Sequence, residues 1–307
     1  MSGHQELMLN FKLSNEVTNA IGENKPVVAL ESTVIAHGLP HPKNLETAEA
    51  MEAVVRNSNS TPATIGIING QITVGLNSAE VNLMATGDDI KKISTRDIPI
   101  AVSQRWDGAT TVASTAWIAY RAGIKVFATG GIGGVHRGSL PDISADLPEL
   151  AKTPIVVVCS GAKIVLDLPA TREWLETNAV TVVGYQCDEL PAFYSRQSGL
   201  PIDVRLDTAA DIAKLFHTKN ELGINSALLV TVPVPQEYEV AAGVLQSALN
   251  EALAEAEMRA IGGREVTPFL LSYMAQQSEG ATLKANVALL ENNARVAAEI
   301  ANALGHQ

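Results

Sequence analysis

Short apolar runs bounded by turn residues recur along the chain. They are rich in β-branched residues and nearly continuous, which is typical of strands buried on both faces of a sheet. Stretches with helical periodicity separate them, and this alternation predicts an α/β fold with a mixed, mainly parallel central sheet between helical layers. The predicted strands are Val27–Leu30, Ile98–Val102, Ile124–Ala128, Ile155–Cys159, Val180–Val183 and Ala227–Val232, and the predicted helices include Leu45–Val55, Thr111–Ala122 and Thr171–Thr177.

Two parts of the chain depart from this alternation. The pair Asn69-Gly70 lies between two strand-like runs and predicts a β-hairpin with a type I′ turn. The C-terminal third is more helical, with Ala-rich amphipathic stretches over Val240–Ala260 and Leu283–Leu304. Between these parts, Glu189–Asp207 contains two prolines and a glycine, so we expect a long irregular loop that borders a site or an interface.

Composition narrows the class of protein. The 307 residues are 46% hydrophobic and carry a formal net charge of −11, which excludes a disordered chain and disfavours nucleic acid as a partner. No linker or repeat is visible, so residues 1–307 are expected to form a single domain. The sequence shows no signal peptide, no transit peptide and no membrane span, and Cys159 and Cys187 are too far apart for a metal or redox pair. We expect a cytoplasmic protein with reduced thiols and no membrane partner.

Chemically active side chains follow three of the predicted strands. Glu31 comes directly after Val27–Leu30, the run 129–138 is rich in glycine and follows the third strand, and Lys163 comes shortly after Cys159. Open parallel sheets bind ligands beyond the carboxyl ends of their strands. If these strands are parallel, the three segments converge on one edge of the sheet.

Lys163 and Glu31 are the candidate catalytic residues. The apolar residues after Lys163 have helical spacing, which places it at the start of a predicted helix, where the helix dipole favours the free amine that attacks a sugar carbonyl. Glu31 is costly to ionise after a buried strand, which raises its pKa towards the range useful for proton transfer. Both also have structural interpretations: a lysine that reaches solvent, and a carboxylate that caps backbone N–H groups.

Two glycine-containing segments are candidate anion sites. The run GGIGGVHRG, residues 130–138, offers backbone N–H donors together with His136 and Arg137, a mixture suited to phosphate. The segment Gly108–Thr111 precedes an apolar helix and could bind phosphate or sugar, or simply cap that helix. Lys92 and Asn286 are uninformative from local sequence alone.

A pair of aspartates is a candidate metal site. Asp142 and Asp146 lie four residues apart with Ser144 between them. Hard oxygen ligands of this kind suit Mg²⁺ or Mn²⁺, held by one carboxylate and otherwise by water. The same residues could equally cap a helix through residues 147–150.

Several longer segments together resemble a known family. They are VVALESTVIAHGLPHP, PATIGIINGQITVGL, ISTRDIP, GATTVASTAWIAYRAGIKVFATGGIGGVHRG, DISADLPELA, VVVCSGAKIVLDL, GYQCDELPAF and TPFLL. In order and spacing, from about Pro26 to the C-terminus, the chain resembles the pseudouridine-5'-phosphate glycosidases, also described as indigoidine-synthase-A-like. The resemblance implies a homotrimeric enzyme that reversibly cleaves the C–C glycosidic bond of pseudouridine 5'-phosphate to uracil and ribose 5-phosphate.

The resemblance also implies a role for each matching residue. Lys163 matches the nucleophile that attacks C1' and holds the ring-opened sugar, and Glu31 matches the proton donor. Asp142 matches the ligand of one divalent cation per subunit, usually Mn²⁺. The implied substrate contacts are Lys92, Val112, Ser144, Ala145 and Asp146, with His136 and Asn286 as further matches near the phosphate and the base.

This pairing of residues makes chemical sense for a C–C bond. Such a bond has no leaving oxygen to protonate, so hydrolysis by two carboxylates is not available. Opening the sugar and forming an imine with a lysine provides an electron sink beside the bond, and a general acid can protonate the uracil carbon.

The chain departs from the family pattern in two places. The connection Ser139–Pro141 is a couple of residues shorter than usual, which affects the expected position of Asp142. Thr95 stands where an arginine is common. Two alternative functions remain open at this point: a catalytically inactive sugar-phosphate-binding protein, and a related C-glycosidase of pigment biosynthesis.

Overall fold

The computed structural model describes residues 11–138, 142–261 and 266–305. Its strands are β1 Phe11–Leu13, β2 Val27–Leu30, β3 Thr61–Ile68, β4 Gln71–Val74, β5 Lys91–Ile93, β6 Gly108–Thr110, β7 Val126–Ala128, β8 Val156–Cys159, β9 Thr181–Tyr185, β10 Val204–Leu206 and β11 Leu228–Thr231. Its α-helices are α1 Asn15–Gly22, α2 Lys43–Asn57, α3 Ser78–Thr86, α4 Ile98–Ser103, α5 Val112–Arg121, α6 Asp146–Leu150, α7 Leu168–Thr177, α8 Ala209–Glu221, α9 Ala242–Met258, α10 Val266–Gln277 and α11 Ala281–Gly305.

The described strands form one mixed sheet. Its order is β1-β4-β3-β2-β7-β8-β11-β9-β10, and β6 pairs with both β3 and β5 at the side of this path. All pairs are parallel except β3–β4 and β3–β6. Helix α11 packs on β2, β7 and β8, while α5 packs on β2, β3 and β7. The predicted class, a mainly parallel sheet between helical layers, is confirmed.

The central strands are apolar because both faces of the sheet are covered. Every residue of β2, β7, β8 and β11 is buried, which explains runs of β-branched residues without polar alternation. The predicted hairpin is also confirmed. Asn69 and Gly70 have φ values of 48° and 75°, and β3 and β4 pair on either side of them. Positive φ at both central positions is what a type I′ turn requires.

One predicted strand is wrong, because Ile98–Val102 forms helix α4. The Asp97 carboxylate accepts a hydrogen bond from Ser94 N (3.0 Å) within the tight turn that precedes the helix, and a proline occupies the first turn of the helix. Proline removes a donor that a strand would need but fits the first turn of a helix. Ile98 and Ala101, three apart, are the buried face.

The segment Glu189–Asp207 is only partly an irregular loop. Its last residues form β10, an edge strand that pairs in parallel with β9. Cys159 is buried, Cys187 is half-buried, and neither forms a disulfide. Within the described ranges no helix is long and apolar enough to cross a membrane. The single domain over residues 1–307 stays a prediction.

Candidate active site

Three neighbouring strands bring the candidate residues to one edge of the sheet. Leu30 pairs with Ala128, and Ala128 pairs with Val158, so β2, β7 and β8 end side by side. Glu31 and Thr129 therefore start adjacent loops, and the loop with Lys163 begins beside them. The predicted convergence on one edge is confirmed.

A cavity of about 340 Å³ opens at this edge. That volume lies in the range of roughly 300–1,000 Å³ usual for small-molecule sites. Its lining includes every predicted site residue except Asn286, namely Glu31, Lys92, Val112, His136, Asp142, Ser144, Ala145, Asp146 and Lys163. Asn286 lies in an adjoining cavity that shares Glu31, Lys92 and Lys163 with the first.

Glu31 is a buried acid next to two lysines. Glu31 is 6% exposed, and the Thr129 hydroxyl donates a hydrogen bond to Glu31 Oε1. Burial raises the pKa of Glu31, and the charge of Asp146 adds to this rise; the positive charge of Lys163, the Thr129 hydrogen bond and the charge of Lys92 lower the pKa, but by less. The predicted direction is confirmed, and a raised pKa suits a carboxyl group that must deliver a proton.

The prediction that Lys163 begins a helix is wrong. Lys163 N donates to Ile132 O (3.1 Å), and Leu166 N donates to Lys163 O (3.0 Å), so the lysine lies in a turn. Helix α7 begins only at Leu168, where the Asp167 side chain accepts from Ala170 N. A helix dipole therefore does not favour the free amine of Lys163. Lys163 nevertheless lines the same cavity as Glu31.

The turn before Lys163 depends on a glycine. Gly161 has φ of +83°, and a Cβ at this position would lie 2.1 Å from Pro191 O. A side chain at residue 161 is thus excluded both by backbone conformation and by space. This close approach ties the Lys163 loop to the loop that begins at Glu189.

Asp146 holds two walls of the cavity together. Its Oδ1 accepts from Ala113 N (2.9 Å) at the start of α5, and its Oδ2 accepts from Gly133 N (2.8 Å) in the glycine-rich run. Thr111, the residue before α5, makes no side-chain cap, so the Asp146 carboxylate takes that role. A Cβ at residue 133 would lie 2.2 Å from Ser144 Oγ, which explains glycine there.

His136 and Asp142 lie together at the mouth of the cavity. His136 N donates to Asp142 O (2.8 Å), and Ser144 N donates to Gly134 O (2.9 Å), so residues 134–136 run alongside residues 142–144. Asp142 is exposed. The short connection Ser139–Pro141 lies outside the described residues.

The donor set at this mouth fits only a largely hydrated cation. No group of three or more His, Cys, Asp or Glu side chains in the described ranges could hold a metal ion. Asp142 offers one exposed carboxylate, so any divalent ion there would complete its coordination with water or substrate oxygens. Such coordination is common for Mg²⁺ and related hard ions.

Thr95 is turned away from the cavity. Its hydroxyl donates to Glu149 Oε2 (3.2 Å), and Glu149 is almost fully buried. Arg96, the next residue, does line the cavity together with Lys92. A threonine at position 95, where the resemblance implies an arginine, therefore leaves Lys92 and Arg96 in the lining, together with Lys163.

Several residues of the site were not predicted from the sequence, and three of them are informative. Thr129 contacts Glu31, Phe193 lines the adjoining cavity, and Thr267 lines both cavities. Thr129 carried a signal, since it follows a strand directly. Phe193 carried only the expectation that its long loop borders a site, and that expectation is confirmed. A Cβ at Gly131 would lie 2.8 Å from the Phe193 ring, so the two loops are in close contact.

Comparison with known sequences gives the family. The model for indigoidine synthase A-like proteins matches residues 16–303. The pseudouridine-5'-phosphate glycosidase of Caldanaerobacter subterraneus is 50% identical over 94% of this chain and 95% of its own length. That of Geobacillus kaustophilus is 50% identical over 95% of this chain and 97% of its own length, and that of Staphylococcus aureus 46% identical over 96% of both chains.

Two solved structures share the whole fold. A prealnumycin C-glycosynthase, AlnA, in complex with ribulose 5-phosphate is 40% identical with a TM-score of 0.89, covering 97% of this chain and 98% of the other. An indigoidine synthase A-like protein from Thermotoga maritima is 37% identical with a TM-score of 0.89, covering 99% of this chain and 98% of the other. The chain therefore belongs to the pseudouridine-5'-phosphate glycosidase family of indigoidine synthase A-like proteins, and it is an enzyme.

Proposed function

We propose that the protein reversibly cleaves the C–C glycosidic bond of pseudouridine 5'-phosphate to uracil and ribose 5-phosphate. Relatives that bear this activity in their names are about half identical to the chain over nearly their full lengths. The observation that carries the proposal is the lining of one cavity by a buried acid, Glu31, and the amine of Lys163.

Lys163 acts first in the proposed cleavage. Its amine forms a bond to C1' while the bond from C1' to the ring oxygen breaks, and that oxygen takes up the proton that the attacking nitrogen releases. The nitrogen lone pair then forms a C=N bond to C1' as the bond to uracil C5 breaks. The electron pair left on C5 takes the proton of Glu31. Water hydrolyses the iminium, releases ribose 5-phosphate and frees Lys163.

The remaining residues of the lining bind and orient the substrate. Lys92, Val112, Ser144 and Ala145 contact the substrate, and His136 lies near its phosphate. Asp146 keeps α5 and the glycine-rich run in register around it. Asn286, in the adjoining cavity, contacts the base.

Asp142 is proposed to anchor one Mn²⁺ per subunit. When bound, the ion would supply positive charge to the substrate. The exposed carboxylate and its place at the cavity mouth support this assignment. Activity should then be lost on treatment with a chelator and return on addition of Mn²⁺.

We also propose the homotrimer that the family resemblance implies. Light scattering on the purified protein tests it directly. A mass near three times 32.4 kDa is the expected result, and a monomer or dimer mass contradicts it.

A C-glycosynthase is the second candidate function. The specific observation in its favour is the 40% identity and full-length structural match to the prealnumycin C-glycosynthase. Higher identity to the glycosidases places it second. A catalytically inactive binding protein has no comparable support, because it does not require Lys163 and Glu31 in one cavity.

The test is direct assay of the purified protein with Mn²⁺ and pseudouridine 5'-phosphate. Equal amounts of uracil and ribose 5-phosphate are expected, with no release of uracil from uridine 5'-phosphate, whose bond is C–N. Release from neither compound, with ribose 5-phosphate still bound, contradicts the glycosidase assignment. Joining ribose 5-phosphate to an aromatic acceptor other than uracil then favours the second candidate.

A further inference from the structure

Thr129 is the hydrogen-bond donor to the buried acid. It follows β7 directly, is 0% exposed, and its Oγ1 donates to Glu31 Oε1. The pairing of Leu30 with Ala128 sets residues 31 and 129 side by side at the ends of neighbouring strands. The contact is therefore fixed by the register of the central sheet and not by a mobile loop.

The backbone of Thr129 is held on two sides. Its N–H donates to Val158 O (3.0 Å), which continues the β7–β8 pairing by one residue. Its carbonyl oxygen accepts from Asn293 Nδ2 (2.9 Å), on helix α11. Asn293 is 0% exposed and also donates to Ser160 Oγ (3.1 Å), at the start of the Lys163 loop. One buried amide thus fixes the first residues of both catalytic loops.

We propose that Thr129 is a positioning residue for Glu31. The Thr129 hydroxyl orients the carboxyl group of Glu31 and sets how readily that group gives and takes its proton. The inference rests on the proposed function, because it assumes that Glu31 transfers the proton. It extends that function to a residue that contacts neither reacting carbon.

Both positive and negative charges face Glu31. Lys163 and Lys92 favour the carboxylate from the β8 loop and from β5, while Asp146 on α6 and burial favour the acid. His37 and Arg96 also line the two cavities that Glu31 borders. The Thr129 hydroxyl lowers the pKa of Glu31, as the two lysines do, because a hydrogen bond donated to a carboxylate stabilises the charged form. Its removal raises the pKa of Glu31 further.

The rates of cleavage and of synthesis should therefore depend on pH in opposite ways. Cleavage needs Glu31 protonated, so its rate falls as pH rises through the pKa of Glu31. Synthesis at saturating ribose 5-phosphate starts from the iminium and needs Glu31 ionised to accept the C5 proton, so its rate rises through the pKa of Glu31. Loss of the hydroxyl moves the falling limb of the cleavage pH–rate profile and the rising limb of the synthesis profile to higher pH. The shift is about one pH unit or more, the size expected for one hydrogen bond to a charged group. A change in folding alone lowers both rates without moving either limb.

The experiment compares Thr129→Val, which keeps the shape, with Thr129→Ser, which keeps the hydroxyl. We expect the valine variant to shift both pH–rate limbs upward and the serine variant to follow the wild type. Thr129→Ala serves as a second variant without the hydroxyl if the valine variant does not fold. Limbs that coincide with those of the wild type in the folded valine or alanine variant overturn the proposal.

A measurement without substrate separates this inference from the proposed function. The carboxyl absorption of Glu31 is titrated by infrared difference spectroscopy, with Glu31→Gln as the subtracted reference. A higher midpoint in the valine variant than in the wild type and the serine variant supports the role of Thr129, and equal midpoints overturn it. Absence of turnover by the wild type contradicts the proposed function alone, because the midpoint of Glu31 is still measured.

Discussion

Each of the two edges of the sheet has a cavity at β2 and β7, and the two cavities differ in the side chains that line them. The cavity at the carboxyl ends measures about 340 Å³, and the one at the amino ends, beside Pro26 and Lys125, about 410 Å³. The first contains a buried acid and the amine of Lys163. The second is lined by apolar side chains, Asn24 and two lysines, Lys25 and Lys125, that are both exposed.

The difference shows that strand direction identifies the site better than cavity size. At the carboxyl ends, loops leave three adjacent parallel strands at one level, so Glu31, Thr129 and the Lys163 loop are brought together although they are far apart in sequence. At the amino ends the chain arrives from helices and turns. Lys25, for example, forms an ion pair with Glu23 at the surface.

Among the substitutions at the two edges of the sheet, loss of the proposed nucleophile should lower the reaction rate most. Lys163→Ala is expected to reduce release of uracil from pseudouridine 5'-phosphate by about 10³-fold or more, because the covalent route is closed. The rate is measured by chromatography of uracil at saturating substrate. A variant with more than about a tenth of the wild-type rate contradicts the nucleophile assignment.

Loss of the proposed acid should slow cleavage of the C–C bond but not formation of the sugar adduct. Glu31→Gln is expected to lower cleavage by about 10²–10⁴-fold, the usual contribution of a general acid. Ribose 5-phosphate should still form its adduct with Lys163, since that step does not need the C5 proton. Adduct formation is followed by mass spectrometry after borohydride reduction, and cleavage that continues at the wild-type rate is the contradicting result.

Loss of the Asp146 charge should loosen the active edge. Asp146→Asn removes the anion that caps α5 and binds Gly133 N, at a cost of about 1–3 kcal/mol in unfolding free energy. We expect a lower midpoint in thermal unfolding and a KM for the substrate raised by about tenfold. Asp188→Asn, at an exposed carboxylate away from the cavity, is the matched control and should change neither value.

Glu31 should also affect stability, with a sign that depends on pH. The pKa of Glu31 is higher in the folded protein than its ordinary value of 4.5, so the stability from the protonated group is complete below that value and is lost as pH rises through the folded pKa. Glu31→Gln avoids this loss. It should therefore be more stable than the wild type at about pH 8, by roughly 1 kcal/mol for each unit of pKa shift.

Thermal unfolding of both proteins over a pH series measures this difference. The advantage of Glu31→Gln should shrink as the pH falls toward 4.5. An advantage that is independent of pH contradicts a raised pKa of Glu31 in the folded protein.

Change at the opposite edge should have the smallest effect. Lys125→Ala removes an exposed lysine from the cavity at the amino ends, and kcat and KM should stay within about twofold of the wild type. The same assay as for Lys163→Ala is used. A strong loss of activity would show that the cavity at the amino ends belongs to the active site.

Local patterns predicted the strands and the meeting of loops, because both depend on burial and strand direction. The predicted Val27–Leu30 matches β2 residue for residue. The run Ile98–Val102 was predicted wrongly because the proline in the first turn of α4 outweighs its β-branched composition. Which residues line the cavity followed from motif positions, and most of those lie where the resemblance implied.

Contacts between distant loops were not predictable. The turn at Lys163 depends on Ile132 O and on the approach of Pro191 O to Gly161, and nothing near residue 163 indicates either. The same holds for Asp146, whose partners are backbone N–H groups 33 and 13 residues away. A sequence pattern shows which chemistry is available, while such contacts decide how it is oriented.

The most direct test of the account is to find where the sugar becomes attached. The wild type is incubated with ribose 5-phosphate, reduced with borohydride, digested and analysed by peptide mass spectrometry. The account predicts one pentose phosphate on the peptide that contains Lys163 and none on peptides that contain Lys25 or Lys125. An unmodified Lys163 peptide in protein that turns over pseudouridine 5'-phosphate would contradict it.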